Sequence, residues 1–152
     1  MDPIKLYLKD IQHIPLLTAE EELKLARRIK KGDVKARKTM IQSNLRLVIN
    51  IAKKYSFLGI PMLDLIEEGN MGLMKAVSKY NPKRGYRFST YAAWWIKQYV
   101  LRAIANQGKT VRIPVYMVEK LARWKKITEQ LTQKHGRIPN IKEIAKKMSC
   151  SL

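Results

Sequence analysis

Apolar residues recur at three- and four-residue steps along this chain, and each run is opened by a capping residue and closed by glycine or proline. That punctuation leaves helix as the economical local structure nearly everywhere. Asp2 caps a first helix with Pro3 at its first position, and Ile4, Tyr7, Leu8 and Ile11 share one stripe. A break over His13 to Leu17 follows. Thr18 and Glu21 then form a capping-box pattern, Leu23, Ala26 and Ile29 supply the stripe, and Gly32 a left-handed stop. Asp33 opens one long helix, in which Met40, Ile41, Leu45, Val48, Ile49 and Ala52 keep the spacing up to about Tyr55 to Gly59. Pro61 opens the next, carrying Leu63, Ile66, Leu73 and Val77 to the turn Asn81-Pro82-Lys83-Arg84-Gly85. Ser89 caps a fifth helix to about Gln107, with Ala93, Ile96, Val100, Ala103 and Ile104 as its core stripe. After an extended Thr110 to Pro114, a sixth helix reaches about His135, Gly136 ends it, and Asn140 caps a last helix through Met148. No β-branched alternating run of strand length interrupts the pattern. The expected fold class is all-α.

Two units are expected: residues 1–108 and a smaller helical unit over 109–152, joined at Gly108-Lys109-Thr110-Val111. Arg137 to Asn140 followed by Ile141 to Ala145 has the form of the first half of a helix-turn-helix, and the chain stops before a recognition helix could follow, as a fragment of a longer protein would.

The charge narrows the function. The chain carries 31 Lys and Arg against 12 Asp and Glu, a formal net charge of +19, yet 46% of it is apolar, enough for a core. From Gly69 to Val118 no acidic residue occurs. That stretch holds Lys75, Lys79, Lys83, Arg84, Arg87, Lys97, Arg102, Lys109 and Arg112 together with Tyr80, Tyr86, Phe88, Tyr91, Trp94, Trp95, Tyr99 and Tyr116. Cations gather phosphates by releasing counterions, and aromatic faces stack on bases that have left a duplex, at about 1 to 3 kcal/mol per base. The competing reading is a solvated basic face over ordinary core aromatics. On the fifth helix Tyr91, Trp94, Trp95, Gln98 and Arg102 recur on a side that the core stripe does not use, which favours nucleic acid.

Other classes fall away. The longest apolar run, Tyr91 to Ile96, is far short of the roughly 18 to 20 residues a bilayer requires, and Met-Asp-Pro begins no secretory leader, so a cytoplasmic protein with no membrane partner is expected. A lone Cys150, with His13 and His135 far apart, offers neither a disulfide nor a metal-ligand set. Nucleophile–base pairs and phosphate loops are missing, so neither an enzyme nor a cofactor is expected. Asp64, Glu67 and Glu68, without a histidine or cysteine nearby, read as a protein-docking patch, and Gly69 and Gly72 taken alone as a helix kink.

The strings Asn44-Leu45-Arg46-Leu47-Val48, Asp64 to Ala76, Arg84 to Gln98 and Val111-Arg112-Ile113-Pro114 resemble the sigma-70 family of bacterial transcription initiation factors, in family order over essentially the whole chain. The resemblance implies a region 1.2 segment over 2–31, a multi-helix, promoter-melting region 2 domain over 36–107 and most of a small three-helix-type region 3 domain over 109–152. It implies recognition of the minus-ten promoter element, duplex and then single-stranded, with two non-template bases flipped into pockets at a few kcal/mol each. Tyr91, Tyr80, Arg84, Tyr86, Phe88 and Trp95 match the flipped-adenine pocket. Asn44, Leu47, Ser89, Leu16 and Glu22 match the downstream thymine pocket. Trp94, Trp95 and Gln98 match the upstream wedge, with Lys97 and Arg102 on phosphates. Arg112, Tyr116, Glu119 and Arg123 match the extended element, and Lys5 and Leu8 the bases just downstream.

By the same resemblance Asp64, Glu67, Glu68, Asn70 and Met74 match the surface that docks on a coiled coil in the largest subunit of core RNA polymerase, and an anti-sigma factor is a conceivable further partner. Departures from the family pattern fall at Leu101, where a polar residue near the first base pair of the element is common, at Tyr116, where histidine is common, and at Asn81, where an acid is. The rival from another class is a free-standing basic single-strand binder or helical adaptor. It would have no use for the docking patch.

Overall fold

The computed structural model describes residues 2–107 and 114–149. These form α1 (Pro3–Ile11), α2 (Ala19–Lys30), α3 (Val34–Gln42), α4 (Leu45–Lys53), α5 (Met62–Lys79), α6 (Phe88–Gln107), α7 (Val115–His135) and α8 (Ile141–Met148), with single 3-10 turns at Ser56–Leu58 and Pro82–Arg84. The fold is all-α, with no strand among the described residues. Capping chemistry places the ends. Asp2, Thr18, Asp33 and Asn140 each accept a first-turn backbone N–H, and Thr18–Glu21 and Asn140–Glu143 complete reciprocal boxes. Gly32, Gly59, Gly85 and Gly136 take the positive φ that ends a helix or turn.

The antiparallel-style pair α5 and α6, linked by the Pro82–Arg84 turn, is the centre of the molecule, and α4 lies on both. Leu65, Leu73 and Ala76 of α5, Ala92, Ile96, Val100 and Leu101 of α6, and Val48, Ile49 and Ala52 of α4 are buried in one cluster, which also takes in Ile11, Met40 and Val118. Gly69 sets the approach of α4 to α5, and Gly72 that of α6. A Cβ on Gly69 would stand 2.6 Å from Val48 Cγ1, and one on Gly72 would stand 2.7 Å from the Trp95 carbonyl oxygen. The helix is continuous through both, and each lies where a neighbouring helix comes close.

Some expectations need correction. The single helix from Asp33 divides into α3 and α4, because Asn44 Nδ2 donates to the Met40 carbonyl at 2.8 Å while the Asn44 backbone N–H turns to Ile41. Leu23 and Leu63 lie outside the core, each 38% exposed; α2 buries Glu22, Leu25 and Ala26 instead. Leu101 is fully buried, so it cannot stand near a base pair as its family position suggested. α6 begins at Phe88, which puts Ser89 inside the first turn rather than at the cap. Of the three-helix-type unit expected over 109–152, α7 and α8 are the helices among the described residues, and the boundary at 108–109 and the extended Thr110 to Ile113 lie outside them. Ile127, Leu131 and Ile144 make a second small core with Met148, while Val118, near the start of α7, belongs to the main one.

Candidate nucleic-acid interface

The α5–α6 turn and the first half of α6 bring the aromatic residues of the acid-free stretch into one continuous ladder. Phe88 meets Tyr80 edge-on at 5.1 Å between ring centroids, Tyr80 lies 5.8 Å from Tyr91, and Tyr86 stacks on Tyr91 at 6.2 Å. Tyr91 in turn meets Trp95 at 6.4 Å, and Trp95 meets Trp94 at 5.1 Å with the rings at 88°. Exposure grades along it. Phe88 is 0% exposed and Trp94 56%. Phe88 therefore cannot touch a base, which corrects its place in the adenine pocket: it backs Tyr80. Tyr80 is also mostly buried, and its hydroxyl donates to the Tyr86 carbonyl at 2.8 Å. Burial raises its pKa, keeping the phenol protonated as that donor. Tyr86, Tyr91, Trp94 and half-buried Trp95 supply the accessible faces. The Trp95 indole N–H is buried with no hydrogen-bond partner. Tyr91 and Trp95 pack against the main core as well, so the face is less separate from it than the spacing implied.

The cations divide into two sets. Lys75, Lys79, Lys83, Arg84 and Arg102 are exposed, Lys83 lining a cleft with Arg27, Lys30 and Lys31 of α2 and its end. Lys97 is 3.2 Å from Glu119 of α7, so two residues matched to different parts of a promoter pair with each other across the helix junction. Arg87 is also engaged: its Nη2 donates to Glu22 Oε1 at 2.9 Å and to the Leu17 carbonyl at 3.1 Å. Lys109 and Arg112 lie outside the described residues.

A second group gathers around the extended segment between α1 and α2. Arg46 donates to the Ile14 carbonyl at 2.7 Å and Arg87 to that of Leu17, so the backbone on either side of Leu16 is anchored while Leu16 itself is 68% exposed. Asn44, Leu47 and Ser89 are half-buried on α4 and α6, with the Asn44 amide spent on Met40. Glu22 is buried behind them. Arg46 and Arg87 were singled out by no motif role. Their guanidinium geometry matches backbone carbonyls, but the partners lie 32 and 70 residues away in the chain.

On the far side of α5, Asp64, Glu67, Met71 and Met74 are exposed on one stripe, and Glu68 is half-buried. Asn70 departs from that stripe. Its Nδ2 is 3.5 Å from the Tyr7 hydroxyl of α1, and its Oδ1 is buried without a hydrogen-bond partner. Lys5 is exposed and Leu8 half-buried on α1. Tyr116 is exposed under Lys120, whose ammonium lies 5.8 Å from the ring centre. Exposed Arg123 lines a cleft of about 720 Å³ between α4, α6 and α7 with Lys53, Lys54, Lys97, Lys125 and Lys126 and the two glutamates Glu119 and Glu129, a mainly basic grouping that spacing alone did not bring together. Among the described residues no three His, Cys, Asp or Glu side chains are placed to hold a metal ion, and no helix is long and apolar enough to cross a membrane.

Comparison with known proteins adds independent findings. Residues 2–35 match the model of sigma-70 factor region 1.2, residues 40–110 that of sigma-70 region 2, and residues 119–152 that of sigma-70 region 3. The chain is 54% identical over 147 residues to the RNA polymerase sigma factor SigA of Clostridium acetobutylicum, covering 97% of this chain and 39% of that protein. It is 50% identical over 151 residues to SigA of a Bacillus species, covering 99% of this chain and 40% of that protein. Against the sigma factor RpoS of Coxiella burnetii it is 55% identical over 132 residues, 87% of this chain and 38% of that one. The chain thus spans about two fifths of the length of the curated relatives it matches.

Proposed function

The chain belongs to the sigma-70 family of bacterial transcription initiation factors, and we propose that it acts as one: it binds core RNA polymerase, recognises the minus-ten element and stabilises the melted non-template strand. It is a binding factor and not an enzyme. The observation that carries this reading is the graded ladder, with buried aromatics behind and accessible ones in front, in a stretch with cations and no acid. Such a surface can offset the cost of unstacking a base, because its rings are already held in place.

In this reading Tyr91, Tyr86, Trp95 and Arg84 enclose the flipped adenine with Tyr80 behind, Arg102 and Lys97 neutralise phosphates, and Trp94 with Gln98 and Trp95 forms the wedge at the upstream fork. Leu16, Leu47, Asn44 and Ser89 shape the downstream thymine pocket, and Lys5 and Leu8 lie beyond it. Tyr116, Glu119, Arg123 and Arg112 face the extended element, with Lys97 held to Glu119 until DNA competes for it. Residues 1–108 carry docking and melting, and 109–152 the extended contacts. The stripe Asp64, Glu67 and Met74, with Glu68 and Asn70 beside it, takes the polymerase coiled coil.

The test is transcription from a consensus minus-ten promoter by core polymerase with and without the chain, beside permanganate footprinting. Trp94→Ala with Trp95→Ala should retain helical circular dichroism and abolish opening; loss of helix with loss of opening would make the pair core residues. Asp64→Lys should weaken binding to core polymerase about tenfold and leave affinity for a minus-ten single strand nearly unchanged, since it reverses one charge in one interface. A chain that binds single strands equally well whatever their sequence, and does nothing for polymerase, would favour the free-standing binder.

A further inference from the structure

We propose that Glu22 is a positioning residue, whose buried carboxylate caps α6 from another helix and, through Arg87, fixes the Leu16 segment against the strand-binding face. Its functional consequence rests on the promoter-strand reading above; its structural consequence does not.

The first turn of α6 presents backbone N–H groups that need acceptors, and its own sequence supplies a poor one. Arg87, which precedes the helix, has a side chain that only donates, and Ser89 lies one position inside it. The Phe88 N–H is shut away from water, because Phe88 is 0% exposed. Glu22, 66 residues earlier, fills the gap: its Oε2 accepts that N–H at 3.2 Å. The same oxygen accepts from Arg87 Nε at 3.0 Å, and Oε1 accepts from Arg87 Nη2 at 2.9 Å. Nη2 also reaches the Leu17 carbonyl. One carboxylate therefore joins α2, the Leu16 segment and the start of α6.

Glu22 is only 4% exposed, a costly place for a negative charge without partners. Here each oxygen has a charge-assisted bond, and the negative charge sits at the positive end of α6. The turn so fixed carries Ser89 and Tyr91, one residue from each proposed base pocket. Oε2 takes two protein donors and Oε1 one, so the carboxylate sets the spacing between the pockets through these bonds, a role separate from any contact of Oε1 with the thymine, which the family resemblance implied. Arg87, by the same bonds, is a strut and not a phosphate clamp.

The experiment compares Glu22→Ala, which removes the acceptor, and Arg87→Ala in the full chain by two readouts. The first is hydrogen exchange of the amides Phe88 to Ala92. The second is anisotropy of minus-ten single strands, matched or with the downstream thymine replaced, in the presence of core polymerase. Glu22→Ala should speed exchange in that turn roughly tenfold, the scale of a lost cap, and weaken binding even of the replaced strand, which has no thymine to read. Arg87→Ala should weaken both strands by the same factor, and the double variant should add little, as for partners in one network. If Glu22→Ala fails to fold, Arg87→Lys, which keeps the charge and loses the fork, should show the same uniform loss in milder form. Unchanged exchange in Glu22→Ala would overturn the cap. A loss in Glu22→Ala confined to the matched strand would make Glu22 a base reader alone and overturn the positioning role. If the parent chain shows no minus-ten preference at all, the promoter reading fails, while the exchange result still decides the cap.

Discussion

The α5–α6 pair and the α7–α8 pair are both helix hairpins closed by a turn with a left-handed glycine, yet they are held by different forces. Between α5 and α6 the backbones approach until there is no room for a methyl group, and the surrounding cluster buries residues from α1 to α7. Between α7 and α8 three buried residues and Met148 make the contact, and local devices carry the rest: Gly136, the Asn140–Glu143 box, and the 2.6 Å ion pair from Arg137 to Glu143. A close-packed pair holds a surface to fractions of an ångström, which a base pocket needs. A pair held by caps keeps its helices without fixing much beyond them.

Truncation in the two cores should separate the pairs most clearly. Leu73→Ala, at a fully buried site, should lower stability by about 3 kcal/mol in urea unfolding, and Leu131→Ala, in the small cluster, by about 1 to 2 kcal/mol. Equal losses would mean that the second core is stronger than its size suggests. The glycines sharpen the contrast. Gly72→Ala should destabilise by about 2 kcal/mol although alanine is the better helix former, because its Cβ meets the backbone at Trp95. It should also depress promoter opening by displacing the ladder. Gly136→Ala meets nothing within 4 Å and pays only for its φ of +67°, so about 1 kcal/mol is expected, with the loss confined to α8 amides in hydrogen exchange.

Acid gives the smallest effect. A hydrogen bond from Arg137 holds the Glu143 carboxyl below the ordinary glutamate value, helped by the Asn140 N–H. A group lowered in the folded state contributes stability that is complete above its unfolded pKa and is lost as pH falls through the folded one. An acid titration followed by circular dichroism should therefore show α8 loosening in the parent chain, and Glu143→Gln should remove that step. The site is exposed, so a shift in midpoint and not a large loss is the measurable.

How much of this was legible beforehand depends on how far each determinant reaches along the chain. Caps, stops and turn glycines act over three to five residues, so Thr18, Gly32, Gly136 and Asn140 announced themselves. The division at Asn44 did not, because an asparagine inside an apolar run can continue a helix or bond back to the i−4 carbonyl, and here it does the second. The site followed the same rule. Composition and motif order pointed to the ladder and the acidic stripe of α5, but which aromatics face out could not be read from spacing: Phe88 and Trp94 look alike in the sequence and lie at opposite ends of the exposure range.

The sequence by itself determined the helical character of the chain, the helix ends set by Asp2, Thr18, Gly32, Gly136 and Asn140, the basic and aromatic concentration between Gly69 and Val118, and through its motifs the family. The tertiary structure alone decided that Gly69 and Gly72 lie where neighbouring helices come close, that Leu101 and Phe88 belong to the core, that Lys97 and Arg87 have acidic partners of their own, and that a carboxylate on α2 caps α6. Local structure follows from backbone sterics and hydrogen bonds among near neighbours. These other features depend on which surfaces meet when residues 30 to 70 positions apart are brought together, and packing chooses that from the whole chain at once.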